Sequence, residues 1–183
     1  MLNQLIIERP TKKDIRSIHN VFEKTITNAF EKEGLSFLKD DILTEIENKK
    51  QLLNLALTSN EASVYFLVAK IKEEIIGTIS FSPCNNDIKK FTHNQINNVG
   101  ELGSLYVLPH YQDKGIASAL IHALIDYLHM VGVQQFCLDS GYRQAQKKWL
   151  RKFGKPYKTI EDYWGKDNDH MIWLCEVNDY IRS

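Results

Sequence analysis

A chain of 183 residues, 43% hydrophobic and 25% charged, carries enough apolar material for one substantial core, so a single domain over 1–183 is expected. Its 23 basic and 23 acidic residues cancel, which removes any global attraction to nucleic acid or to an anionic membrane surface. There is no apolar run of about 18 residues, and the three cysteines form no CxxC or Cys/His zinc pattern, so neither a membrane span nor a metal site is expected.

The opening "MLNQLIIERP" is too short and too polar for a signal peptide, and a cytoplasmic location is the expectation. Within it, "QLIIE" (4–8) reads as a short strand ended by Pro10. Thr11 then offers an N-cap, with Asp14 three positions on. Ile15, Ile18, Phe22, Ile26 and Phe30 recur at three- and four-residue spacings, which predicts a helix that Gly34 ends. A second helix is predicted from about 38 to 57, with Ile42, Leu43, Ile46, Leu53 and Leu57 on its apolar side.

Two β-rich runs follow, "SVYFLVAKI" (63–71) and "EIIGTISFSP" (74–83), and their closeness predicts an antiparallel hairpin with poor turn chemistry. The polar, Asn-rich stretch 85–98 reads as a mobile loop. A strand over 99–108, a helix to about Val131, a strand over 133–139 and a helix over 144–154 come next. A last hairpin is predicted from "KTIEDYW" (158–164) and "HMIWLCEV" (170–177). Cys137 and Cys175 lie in apolar runs and read as small buried hydrophobes, while Trp164 and Trp173 read as core or pocket wall.

The junction "PHYQDKGIAS" (109–118) joins the strand "ELGSLYVL" to the helix "SALIHALIDYLHMV". It lays backbone amides across a helix start, where they lack intrahelical partners and sit at the positive end of the dipole. Such a place suits phosphate. A Walker loop and the GxGxxG fingerprint are both absent, and Gln112-x-x-Gly115-x-Ala117 stands instead. Gly115 allows close backbone approach to a pyrophosphate, Ala117 keeps the helix start uncrowded, and Gln112 and Lys114 can add side-chain donors.

Set within "ELGSLYVLPHYQDKGIASALI", this loop resembles the acyl-coenzyme-A loop of the GNAT superfamily of N-acetyltransferases, and the order of elements along nearly the whole chain agrees. The resemblance implies an α/β GNAT-like fold, with a central, mixed, mostly antiparallel twisted sheet flanked by helices. It implies acetyl-coenzyme A as donor and a primary amine, on a small molecule or peptide, as acceptor. The donor site then comprises Leu105, Tyr106 and Val107 of the strand and Gln112, Asp113, Lys114, Gly115, Ile116, Ala117 and Ser118 of the loop.

By the same resemblance Glu101 is the candidate general base, sharing a strand face with Gly103, Leu105 and Val107 by simple alternation. The family's usual acid is a Tyr in the helix after the next strand. Here "AQKKWLRKFGK" supplies Ala145, Trp149 and Gly154, but Leu150 stands at the Tyr position and Lys155 replaces a Phe. Tyr142, or water, is then the source of the proton for the leaving thiolate. Basic residues of this helix suit the adenosine phosphate. Two rivals remain: a non-catalytic acyl-coenzyme-A-binding regulator, and a nucleotide-binding protein using the same anion site. The apolar "HMIWLCEV" also makes a homodimer through the last hairpin an expectation.

Overall fold

Thr11 opens the first helix as the capping pattern requires. Its amide and hydroxyl both donate to Asp14 Oδ2, at 2.7 and 2.9 Å, and a tight turn leads straight into α1 (Ile15–Lys32). The computed structural model describes residues 4–58 and 63–181. Along α1, Ile18, Phe22, Ile26 and Phe30 are buried as their spacing predicts. In α2 (Lys39–Thr58) the buried residues are Ile42, Ile46 and Leu53. Leu43, expected beside them, is 60% exposed, because one step along a helix turns the side chain by about 100° from its neighbour.

The strands are β1 (Leu5–Glu8), β2 (Tyr65–Ile71), β3 (Glu74–Pro83), β4 (Gly100–Val107), β5 (Gln135–Ser140), β6 (Lys158–Ile160) and β7 (His170–Glu176). They form one sheet in the order β1-β2-β3-β4-β5-β7-β6. Every pairing is antiparallel except β4 with β5. A parallel pair needs a crossover, and α4 (Ile116–Met130) supplies it. Its Ile116, Leu120, Leu124, Ile125 and Leu128 are buried in the main core. This is the mixed, mostly antiparallel sheet flanked by helices that the resemblance implied.

Residues 85–98 do not form a mobile loop. They hold α3 (Asn86–Phe91), whose N-cap Asn85 accepts the Ile88 amide through Oδ1 at 2.9 Å. Ile88 and Ile96 are buried with Cys84, Cys137 and Ile172 in a second, smaller core. The Asn-rich composition hid two buried isoleucines and a capping residue. The apolar run 170–177 also finds its partners within the chain: β7 is hydrogen-bonded to β5 on one edge and to β6 on the other.

One irregularity changes which residues face the site. Ser80 pairs with Gly103, yet Thr78 pairs with Tyr106, so β4 carries one extra residue between those rungs. Ser104 takes φ 47 there, and its carbonyl accepts the Thr78 hydroxyl at 2.7 Å. Such a bulge breaks the alternation of a strand. Glu101 and Gly103 therefore share a face with Tyr106, not with Leu105 and Val107 as simple alternation had it. Tyr106 packs against Phe22 of α1, whereas a Cβ on Gly77 would meet both Val107 and Leu120 of α4 on the opposite face.

Candidate active site

β4 and β5 are paired only at Gly100–Phe136 and Glu101–Cys137, and beyond that rung no further pairing joins them. A cavity of about 650 Å³ lies beside the free part of β4, bounded by the end of α1, the 112–118 loop and α5 (Arg143–Phe153). Leu105, Tyr106, Val107, Gln112, Asp113, Gly115, Ile116, Ala117, Ser118 and Tyr142 all line it. Two expected residues do not. Lys114 folds back to donate to the His110 carbonyl at 2.6 Å, and Glu101 lies outside the lining, on the same sheet face as Tyr106.

The shape of the loop is set by its backbone. Asp113 and Gly115 take left-handed φ values of 58 and 82, which reverses the chain within a few residues, and Gly115 is the N-cap of α4. A Cβ at Gly115 would meet nothing within 4 Å, so the glycine serves its φ and not a shortage of room. The first amides of α4 remain as orphan donors at the positive helix end. Gln112 is spent internally: its Nε2 donates to the Val107 carbonyl at 3.0 Å and its Oε1 accepts Lys32 Nζ at 2.8 Å. Lys32, Lys148, Arg151 and Lys152 give the cavity a basic wall near the loop.

The other end is acidic and aromatic. Glu33 Oε1 accepts the Gln144 amide at 3.1 Å, stitching the end of α1 to the start of α5. Glu45 lines the cavity and accepts the Tyr106 hydroxyl at 3.1 Å. Tyr142 is the N-cap of α5, and its ring packs edge-on against Phe30. Burial first, then the carboxylates of Glu45, Glu33 and Asp41, push the Tyr142 phenol far above its usual range. Leu150 points outward at 40% exposed, while Trp149, one residue earlier, lines the cavity.

Glu101 stands on the last rung before β4 and β5 part. Only 8% exposed, it accepts the Asn85 amide through Oε2 at 2.8 Å. Its Oε1 points along the sheet, 3.2 Å from where a Cβ on Gly103 would sit. Burial first, and the Asp139 carboxylate second, push its carboxyl up to about 7. Sequence reasoning missed the companions: Asn85, Asp139 and His170 come from three other elements. The one local signal was a carboxylate closing the apolar run "QFCLD".

The sequence profile of the acetyltransferase (GNAT) family matches residues 25–154. No curated protein matches the sequence significantly. Among solved structures, the fold is similar to that of a Desulfovibrio desulfuricans protein assigned to the GNAT family, with TM-score 0.70 and 17% identity over 94% of this chain and 99% of that one. It is also similar to the PaiA N-acetyltransferase of Thermoplasma acidophilum, solved with coenzyme A, with TM-score 0.67 and 17% identity over 94% and 98% of the two chains. A third is the spermidine N-acetyltransferase of Vibrio cholerae, solved with coenzyme A and spermine, with TM-score 0.62 and 18% identity over 97% and 98%.

Proposed function

The chain belongs to the GNAT acetyltransferase family, and from that premise we propose that it moves the acetyl group of acetyl-coenzyme A onto a primary amine by direct attack in a ternary complex. The observation that carries this reading is the parting of β4 and β5 at Glu101, beside a cavity whose far end is the 112–118 loop. The pyrophosphate sits on the loop amides and the start of α4. Lys148, Arg151 and Lys152 meet the remaining phosphate. The pantetheine arm then runs along Leu105 to Val107, the part of β4 that β5 leaves unpaired, and a strand amide polarises the thioester carbonyl.

An aliphatic amine has a pKa of about 10.4, so most of it is protonated at neutral pH and must lose a proton before it attacks. Glu101 takes that proton. Because it lies outside the cavity lining, the transfer runs through water, and a carboxylate whose proton affinity lies near neutrality suits the task. The amine nitrogen bonds to the carbonyl carbon and sheds its second proton to solvent, the C–S bond breaks, and its electron pair leaves on sulfur. An ordinary thiol titrates at about 8.5, below the raised phenol of Tyr142. Tyr142 therefore steadies the thiolate with a hydrogen bond, and solvent supplies the proton.

The test is thiol release from acetyl-coenzyme A across a panel of amines, polyamines, aminoglycosides and peptide N-termini, run beside thermal stabilisation by acetyl-coenzyme A, ATP and NAD. Amine-dependent release with stabilisation by acetyl-coenzyme A is expected. Stabilisation without release for any amine would support a non-catalytic regulator, and preference for ATP or NAD a nucleotide-binding protein.

A further inference from the structure

Behind Glu101 lies a shell of polar groups that the loop and cavity do not involve. Asn85 gives its amide N–H to Glu101 Oε2. Its side-chain Oδ1 is taken by the Ile88 amide, so Nδ2 must face the other way, and it donates to Asp139 Oδ2 at 3.1 Å. The same Oδ2 meets His170 Nε2 at 3.0 Å. Trp164 Nε1 donates to His170 Nδ1 at 3.1 Å. An indole N–H can only donate, so Nδ1 accepts, and the ring proton sits on Nε2, pointing at Asp139. His170 is 4% exposed. A Cβ on Gly141 would collide with the indole nitrogen of Trp164, so the glycine leaves room for this contact.

The strand geometry puts the two carboxylates together. Glu101 pairs with Cys137, and Asp139, two residues on, shares the Cys137 face at the point where the strands separate. Burial first, and then the charge of Asp139 beside it, make Glu101 hold its proton more tightly. The groups facing Glu101 are Asp139 of β5, Lys49 of α2, Asn85 at the start of α3, Tyr106 on its own strand, and the thiols of Cys84 and Cys137, which lie 3.1 Å apart. Lys49 acts against Asp139 and is the lesser influence.

We propose that Asp139 is a positioning residue for the transfer reaction: joined to Glu101 through Asn85 and held by the His170–Trp164 pair, its charge makes Glu101 the stronger base. This rests on Glu101 being the base. Asp139 is not among the residues that line the cavity, so it acts through Glu101. The Trp164 contact is part of the device, since it fixes the His170 ring with Nε2 turned to Asp139.

The test is a carboxyl ¹³C titration of Glu101 in the full-length chain, wild type against Asp139→Asn, beside the pH profile of thiol release. The Asn oxygen can still accept from Asn85 and His170, so the shape is kept and the charge is lost. The Glu101 midpoint should fall by about one pH unit or more, the coupling expected of interacting carboxylates, and the acid limb of kcat/KM should move down with it. Should Asp139→Asn fail to fold, Trp164→Phe serves, because it removes the contact that holds the His170 ring against Asp139; a smaller shift in the same direction is expected. An unmoved Glu101 midpoint overturns the proposal, as does a moved midpoint with an unmoved acid limb. Loss of the base reading itself is seen separately, as wild-type thiol release by Glu101→Gln.

Discussion

The two ends of the site are built in opposite ways. The 112–118 loop, where we place the donor's phosphates, is seven consecutive residues, and the free donors at its helix start are backbone amides. The surroundings of Glu101 come from β4, the start of α3, β5, β7 and the turn before β7, and the atoms that matter are side chains. A backbone site survives most side-chain changes that leave its φ angles intact. A side-chain site assembled across the sheet depends on every strand keeping its register.

The largest expected effect separates the two ends directly. Glu101→Gln should cost about 10²- to 10⁴-fold in rate, while acetyl-coenzyme A still stabilises the variant to the wild-type extent. Raising the pH should recover part of the rate, since more of the amine is then already neutral. A variant that lost donor binding too would show that the two ends are not independent.

The converse change is Gly115→Glu. It places a negative side chain in the phosphate nest and forces a non-glycine into φ 82; donor affinity by calorimetry should fall roughly a hundredfold, like-charge juxtaposition costing several kcal/mol. Gly115→Ala isolates the backbone part. Its Cβ enters open space, so it should lose only about 1–2 kcal/mol of stability, from the left-handed conformation.

Stability against pH sharpens the contrast further. Glu101 has a folded-state carboxyl raised to about 7 from 4.5, so the folded state holds its proton more tightly than the unfolded chain. Its contribution is full below the unfolded value and is lost as pH rises through 7. Glu101→Gln removes that loss. Chemical denaturation should find the variant more stable than wild type above pH 7, by something on the order of 3 kcal/mol, and no different near pH 4. Burying this carboxylate is thus a burden on the fold above neutral pH.

Asp14 has the opposite sign. Burial acts to raise its carboxyl, but hydrogen bonds from the Thr11 amide, Lys70 and the Thr11 hydroxyl outweigh it and leave it below the ordinary range. Its stabilisation is present above the unfolded value and is lost as pH falls through the folded one. Asp14→Ala should cost about 1 kcal/mol at neutral pH, a difference that disappears in acid. The smallest effect belongs to Tyr142→Phe, which should slow thiol release less than about tenfold, as a single neutral hydrogen bond is worth roughly 0.5–1.5 kcal/mol. A larger loss would make Tyr142 the proton donor despite its raised phenol.

What could be read from the chain was whatever is written in neighbouring residues. The spacing along α1, the Thr11–Asp14 cap, the strand–loop–helix of 101–130 and the order of elements are local patterns, and each reappears in the fold. Local composition misled at 85–98, where polar asparagines masked Ile88 and Ile96. It also misled at the face of β4, where the extra residue between Gly103 and Tyr106 breaks the simple alternation of "GELGSLYV".

The family, the sheet-and-helix architecture and the strand–loop–helix of 101–130 were legible in the chain, since helix periodicity, capping and a glycine at a left-handed position are decided within a few residues. Only the tertiary structure fixes which face Glu101 shares, that Lys114 and Gln112 spend donors on backbone carbonyls, and that Asn85, Asp139, His170 and Trp164 stand in one line behind Glu101. Those residues are far apart in the chain. Only the pairing of β4 with β5 and of β5 with β7 brings them within hydrogen-bond reach, and that pairing is settled by burial of the whole sheet, not by any short stretch of it.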